Sequence, residues 1–170
     1  LPVVLSEGRG CYVWDVEGKK YFDFLSAYSA VNQGHCHPRI IDVMVEQSRK
    51  LTLTSRAFHN DQLGEYEKYL TNYFNFDKVL PMNTGAEAVE TAIKLCRKWG
   101  YDKKGIPTNQ ARIIVCGQNF HGRTTTIISF SSDPDAKGSF GPYTPGFETV
   151  PYGDVAAMKA ALANDPATIA

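Results

Sequence analysis

Two segments of the chain combine glycine with polar residues in an order that suits anion binding. The first covers residues 82–88, where a predicted strand passes through a Thr84-Gly85 turn into a predicted helix. The free backbone N–H groups of Gly85, Ala86 and Glu87, with the positive end of the helix dipole, are suited to holding a phosphate. Thr84 followed by Glu87 is also a capping box, whose only role can be to start the helix. The sequence leaves both interpretations open, and the charge of Glu87 counts against phosphate.

The second segment covers residues 118–124 and follows a strand predicted at 112–116. Phe120 offers a flat face to an aromatic ligand, and the Arg123 guanidinium offers a fork to a carboxylate or a phosphate. Taken singly, a core phenylalanine and a surface arginine are the commoner roles of these residue types. Ligands of open parallel sheets bind beyond the carboxyl ends of strands, and both segments follow such ends. The two segments are therefore placed to share one crevice.

The elements that position these segments follow from hydrophobic periodicity. Alternation around a turn with Gly18 predicts a β-hairpin at 11–24. Apolar residues at steps of three and four predict helices at 38–51 and from Asn60 or Asp61 to about 74. Beyond these, strands are predicted at 78–82, 112–116, 147–150 and from 167 onward, with helices at 86–100 and 154–162 and a Gly- and Pro-rich excursion at 131–146.

This alternation of strands and helices predicts an α/β fold built on a mostly parallel sheet. In the helix at 86–100, the spacing predicts an inward face, whose members are Val89, Ile93, Cys96 and Trp99.

Composition excludes several classes of function. The 18 Lys and Arg residues balance the 18 Asp and Glu residues, so no overall charge attracts nucleic acid or an anionic membrane. No apolar run approaches the roughly 20 residues that cross a bilayer. A soluble protein whose partners are small molecules is expected.

The cysteines show neither metal-binding spacing nor a disulfide framework. Cys11, Cys36, Cys96 and Cys116 are too sparse for a disulfide scaffold, which favours a reducing compartment. The His35-Cys36-His37 run lacks a second ligand cluster, so a turn before a helix is favoured over a zinc site. No metal is predicted, and a redox pairing of Cys96 with Cys116 is left open.

Three motifs in order and spacing carry a family resemblance: VNQGHCHP at 31–38, MNTGAEA at 82–88 and NFHGRT at 119–124. They resemble the class III pyridoxal-phosphate-dependent aminotransferases, which have fold type I. The segments FDFLSAYSAVNQGH at 22–35, LTLTSRAF at 51–58 and KLCRKWG at 94–100 are similar to the members of that family that use ornithine. The likeness covers essentially the whole chain.

The resemblance implies transfer of the δ-amino group of ornithine to 2-oxoglutarate, giving glutamate 5-semialdehyde and glutamate, with pyridoxal 5'-phosphate as cofactor. It implies that Gly85 and Ala86 bind the cofactor phosphate through backbone N–H groups and that Phe120 stacks on its ring. It also implies that Arg123 binds a substrate carboxylate, that Tyr28 shapes the ornithine pocket, and that the protein is a homodimer.

We do not expect this chain of 170 residues to contain the catalytic residues of the family. The Schiff-base lysine, the Asp that pairs with the pyridine nitrogen and the Arg-Glu pair that sorts substrates belong to motifs absent from the 170 residues. None of the eleven lysines occupies a matching motif. The chain begins without Met and stops on a predicted half-strand, so we expect the N-terminal part of a longer enzyme, inactive by itself.

The resemblance also predicts a domain division. Residues 1–51 would belong to the small domain, and residues 52–170 would form the first part of the cofactor-binding large domain. The alternatives are a related ω-aminotransferase acting on acetylornithine or 4-aminobutyrate, and a noncatalytic α/β module that binds a phosphorylated ligand. The sequence does not decide between the cytoplasm and the mitochondrial matrix.

Overall fold

The structure, a computed structural model, describes residues 2–170, which form two compact units. The first unit ends at Asn75, and the second runs from Phe76 to Ala170. The domain boundary expected between residues 51 and 52 stays a prediction, because compact units of this chain need not coincide with the domains of a longer protein.

A three-stranded antiparallel sheet opens the first unit. It contains β1 (Leu5–Arg9), β2 (Tyr12–Asp15) and β3 (Lys20–Phe22) in the order β1-β2-β3. The hairpin between β2 and β3 is confirmed, with Gly18 at a φ of +81° in its turn. The added strand β1 pairs antiparallel with β2 and was not predicted.

Helical segments follow the sheet in the first unit. The four-residue element α1 (Ser26–Ser29) has a left-handed backbone, whereas α2 (Pro38–Lys50) and α3 (Leu63–Phe74) are regular helices. Pro38 occupies the start of α2, as predicted. The Asn60 side chain accepts hydrogen bonds from the N–H groups of Gln62 and Leu63. The helix itself begins at Leu63 with Gln62 as its N-cap residue, slightly later than the predicted start at Asn60 or Asp61.

The second unit contains a parallel strand pair and its helices. The elements are α4 (Gly85–Asp102), β4 (Ile113–Cys116), the single turns α5 (Thr125–Ile128) and α6 (Pro134–Lys137), β5 (Phe147–Val150), α7 (Val155–Ala163) and a 3₁₀ turn (Pro166–Thr168). Strands β4 and β5 pair in parallel, as the β-branched run at 112–116 predicted. On the other side of β4, Arg112 and Ile169 form a parallel bridge, so only a minimal version of the strand predicted from 167 onward is present.

The core of the second unit lies between α4, α5 and β4. Ile93, Ile127 and Phe130 are buried and pack with partly buried neighbours that include Val89 and Phe147. The Phe130 and Phe147 rings have centroids 4.5 Å apart. This core fixes the first turns of α4 against the chain that follows β4.

Two predictions about this unit are wrong. Residues 78–82 form no strand, because Pro81 lacks an N–H donor and no described strand pairs with this segment. Cys96 and Trp99 are exposed, although the spacing placed them on the inward face of α4. The reason is that the core of this unit packs only against the part of α4 that bears Val89 and Ile93.

Candidate functional site

The first turn of α4 has the capping box that the sequence predicted. The Thr84 side chain accepts a hydrogen bond from Glu87 N at 3.1 Å. In return, Glu87 Oε2 accepts from Thr84 N at 3.1 Å and from Asn83 N at 2.9 Å. The glutamate charge is therefore engaged by backbone donors on the N-terminal side of the helix.

The next two donors of this turn are available to a ligand. Within residues 2–170, neither Gly85 N nor Ala86 N donates a hydrogen bond. A Cβ atom built on Gly85 would have no neighbouring atom within 4 Å, so the space beside this backbone is open. Free donors, open space and the dipole of an 18-residue helix fit a phosphate group. The cap is confirmed, and the phosphate site stays a prediction.

The loop after β4 is fixed to its own unit by side chain to backbone hydrogen bonds. Asn119 Nδ2 donates to the carbonyl oxygens of Cys116 at 2.6 Å and Phe130 at 3.2 Å. Gln118 N donates to Ser132 Oγ at 2.7 Å. These bonds hold the two residues just before Phe120, and Phe120 itself is 75% exposed. Phe120 is therefore not a core residue of this unit, and its ring is accessible.

This loop lies directly against the first turn of α4. A Cβ atom built on Gly122 would lie 2.8 Å from the Cβ of Ala86 and 3.2 Å from Ile127 Cδ1. The Thr124 hydroxyl also donates a hydrogen bond to the Glu90 carboxylate, one turn further along α4. The two segments singled out in the sequence are thus adjacent, as predicted, although only the second of them follows a strand.

Arg123 lies between these two contacts. Its side chain is exposed, and within residues 2–170 it forms no ion pair or hydrogen bond. The guanidinium keeps its full set of donors, which suits bidentate binding of a carboxylate. Its role as a carboxylate ligand stays a prediction.

Tyr28 belongs to the first unit, where it lies on the left-handed element α1. Its φ is +56°, and its side chain is 87% exposed. The preceding Asp23 accepts hydrogen bonds from Leu25 N and Ser26 N through Oδ1. Its Oδ2 lies 2.7 Å from His35 Nε2. The hydrogen bond from His35, and then those from the backbone, lower the pKa of the Asp23 carboxyl.

In the His35-Cys36-His37 run, His35 has a structural role. His35 is bound to Asp23, and its backbone bridges to Gly10, whereas the partly buried His37 has no partner for Nδ1 among the described residues. No group of three metal-ligating side chains occurs within residues 2–170. Cys96 and Cys116 are both free thiols, so no disulfide joins them in this structure.

Sequence reasoning missed the residues that support the predicted site. Asn119, Glu90, Asp23 and His35 each hold a candidate residue's segment in place. Of these, only Asp23 carries a local signal. Aspartate is a typical turn residue because its side chain accepts hydrogen bonds from the backbone N–H groups two or three residues later in the chain. The other three act across the fold, which a linear pattern does not encode.

Comparison with known proteins identifies the family. The family model for class III aminotransferases matches residues 1–168, and the chain belongs to this family. The mitochondrial ornithine aminotransferase of Drosophila ananassae is 62% identical over 166 residues, which cover 98% of this chain and 38% of that protein.

Two solved structures are similar to this chain. The ornithine aminotransferase of Toxoplasma gondii ME49 has a TM-score of 0.97 at 49% identity, and the match covers 100% of this chain and 40% of that one. The acetylornithine aminotransferase of Elizabethkingia anophelis has a TM-score of 0.84 at 64% identity, covering 100% and 41%. The prediction of a fold-type I α/β protein is confirmed.

The chain spans about two fifths of the length of these relatives. None of the helices within residues 2–170 has the length and apolarity that crossing a bilayer requires.

Proposed function

We propose that this chain is part of an ornithine aminotransferase, which transfers the δ-amino group of ornithine to 2-oxoglutarate with pyridoxal 5'-phosphate as cofactor. The products are glutamate 5-semialdehyde and glutamate. The observation that carries the proposal is the contact between Gly122 and Ala86. It brings the free N–H groups of the α4 turn beside the loop that bears Phe120 and Arg123.

The residues of this chain fit the cofactor. Gly85 N and Ala86 N donate to its phosphate, because they are unpaired donors at a helix N-terminus with open space in front of them. The accessible Phe120 ring stacks on the pyridine ring. When bound, pyridoxal phosphate supplies the electron sink for amino-group transfer.

Two residues of this chain act on the substrates in the proposal. The unpaired Arg123 guanidinium binds a substrate carboxylate and fixes its orientation relative to the reacting amine. Tyr28 shapes the pocket for ornithine and so discriminates against smaller ω-amines. We place no acid, base or nucleophile among residues 1–170, and we expect the lysine that binds the cofactor covalently elsewhere in the complete enzyme.

The identity of the substrate is supported by the relatives named ornithine aminotransferase. A second candidate is N-acetylornithine, because the Elizabethkingia anophelis protein at 64% identity is named an acetylornithine aminotransferase. Tyr28 favours the first candidate. The complete enzyme is proposed to be a homodimer in the mitochondrial matrix or the cytoplasm, with ornithine and 2-oxoglutarate as its small-molecule partners.

A substrate panel on the complete enzyme, meaning the full-length protein that contains this sequence, tests the proposal. Ornithine, N-acetylornithine and 4-aminobutyrate are compared as amino donors to 2-oxoglutarate by kcat/KM. We expect ornithine to be preferred, and a preference for N-acetylornithine would assign the second candidate. Absence of transfer from all three donors, with pyridoxal phosphate bound, would contradict an ω-aminotransferase.

A further inference from the structure

The segment that carries Tyr28 has a backbone conformation that its residue types disfavour. The φ values of Ser26, Ala27, Tyr28 and Ser29 are +48°, +48°, +56° and +71°. Residues with a Cβ atom rarely adopt left-handed conformations in succession, because the Cβ approaches the following carbonyl oxygen. The surrounding structure must therefore hold this turn.

Asp23 supplies the hydrogen bonds at the entrance of the turn. Its Oδ1 accepts from Leu25 N at 3.1 Å and from Ser26 N at 2.8 Å. The Ser26 hydroxyl donates to the Asp23 carbonyl oxygen at 3.3 Å. Two donors that the unusual backbone leaves without regular partners are thus satisfied by one carboxylate oxygen.

His35 fixes the other oxygen of this carboxylate. Its Nε2 lies 2.7 Å from Asp23 Oδ2, and both side chains are largely shielded from solvent. The His35 backbone exchanges hydrogen bonds of 2.8 and 2.9 Å with Gly10. A Cβ atom built on Gly8 would lie 2.7 Å from His35 Cγ, so the imidazole packs directly on the backbone of β1. The sheet thereby anchors His35, and His35 anchors Asp23.

We propose that Asp23 and His35 are positioning residues for substrate choice, because together they hold the left-handed turn that presents Tyr28. This inference rests on the proposed function, in which Tyr28 selects ornithine. The pair touches neither substrate nor cofactor in the proposal, and it acts only through the turn. The lowered pKa of the Asp23 carboxyl agrees with a carboxylate held in its charged form by these contacts.

The test compares the complete enzyme with its Asp23→Ala, His35→Gln and Tyr28→Leu variants. The quantity measured is the ratio of kcat/KM for ornithine to kcat/KM for 4-aminobutyrate. Leu is chosen at position 28 because a β-branched residue adds strain at positive φ. We expect Tyr28→Leu to lower the ratio by about 10-fold or more, and Asp23→Ala and His35→Gln to lower it by roughly 3- to 10-fold.

Double variants separate positioning from general destabilisation. If Asp23 acts through Tyr28, adding Asp23→Ala to Tyr28→Leu should lower the melting temperature further but leave the ratio where Tyr28→Leu set it. Asp23→Asn keeps an acceptor for both N–H groups and should retain most of the ratio. Asp102→Ala is the matched control, since it removes a carboxylate from an exposed pair 2.5 Å from Lys98. It should leave the ratio unchanged.

The outcomes separate the two hypotheses. A changed ratio in Tyr28→Leu with an unchanged ratio in His35→Gln and in folded Asp23→Ala overturns the positioning role alone. An unchanged ratio in Tyr28→Leu overturns the role of Tyr28 and the positioning role with it. Should Asp23→Ala not fold, His35→Gln decides, because it preserves the backbone bridge to Gly10.

Discussion

Gly122 and Ala86 approach so closely that a Cβ atom on Gly122 would lie 2.8 Å from the Cβ of Ala86. The φ of Gly122 is +126°, a conformation that residues with a side chain rarely adopt. Glycine is therefore required at this position for two reasons: the positive φ of the backbone, and the lack of space for a side chain beside α4. The contact joins the turn proposed to bind phosphate to the loop proposed to bind the ring and the carboxylate.

We predict that Gly122→Ala weakens binding of pyridoxal phosphate by the complete enzyme. The added methyl group separates the loop from α4 and costs about 1–3 kcal/mol of stability through overpacking, in addition to backbone strain. The measurements are thermal unfolding and titration of the apoenzyme with cofactor. Gly105→Ala is the control, because Gly105 has a φ of +75° but open space around its Cβ position. Equal losses of cofactor affinity in both variants would show that backbone strain alone is responsible.

A second prediction concerns the hydrogen bond between Thr124 and Glu90. Thr124 directly follows Arg123 and also accepts from Ile127 N at the start of α5. We expect Glu90→Ala to cost about 1–2 kcal/mol of stability and to raise KM for the substrate whose carboxylate Arg123 binds. Glu90→Gln retains an acceptor and should be close to the unchanged enzyme. Steady-state kinetics of the two variants check this, and equal KM values in both would contradict a role for the bond in placing Arg123.

For Arg123 itself, the prediction is a loss of substrate binding without a loss of cofactor. Arg123→Lys keeps the charge but loses the fork, so binding of the amino acid or the oxo acid should weaken by about 1–3 kcal/mol. KM values for both substrates and the cofactor dissociation constant are measured. Arg49→Lys, at the exposed C-terminal turn of α2, is the control. Unchanged kinetics with both substrates would remove Arg123 from the site.

The sequence predicted the local features of this site because their signals are local. The Thr84 cap, the helix after it and the β4 strand follow from residues adjacent in the chain. The strand at 78–82 was wrong because pairing depends on a partner strand that local pattern does not reveal. The left-handed turn at Tyr28 was not predicted either, because Ala27 and Tyr28 disfavour it and because the Asp23–His35 hydrogen bond beside it joins residues that are separated in the sequence.

The next prediction is that Asp15 in the β2-β3 hairpin makes the stability of the protein depend on pH. The Tyr21 hydroxyl, and then the N–H groups of Lys19 and Glu17, lower the pKa of the Asp15 carboxyl. Because the pKa of this carboxyl is lower in the folded than in the unfolded protein, the ionised carboxylate stabilises the folded state at pH values above the unfolded-state pKa of about 3.9. This stabilisation is lost as the pH falls through the pKa of the folded state.

Asp15→Asn tests this dependence. The difference in urea midpoint between the unchanged protein and Asp15→Asn should be largest above about pH 5 and should shrink as the pH falls below the unfolded pKa. Tyr21→Phe removes the hydrogen bond that contributes most to the lowered pKa of Asp15. In that variant the loss of stability on acidification should therefore occur at higher pH. A difference that stays constant from pH 6 down to the acid limit would show that the carboxylate does not contribute through its charge.

The last prediction concerns the 170 residues as an isolated chain. Incubated with pyridoxal phosphate and reduced with borohydride, this chain should show scattered, substoichiometric labelling of its lysines and no turnover of ornithine. Covalent attachment needs a neutral amine opposite the aldehyde. The Asp61 carboxylate raises the pKa of Lys50, and Asp102 raises that of Lys98, so both amines are held as ammonium groups.

Two further lysines are engaged by backbone oxygens. Lys104 Nζ donates to the carbonyls of Pro166 and Ile169, and Lys137 Nζ donates to that of Ser129. Mass-spectrometric mapping of the labelled lysines distinguishes the outcomes, with the complete enzyme as the reference, where one lysine outside these residues should be labelled. Stoichiometric labelling of a single lysine in the isolated chain, together with ornithine turnover, would place the catalytic amine among the eleven lysines present.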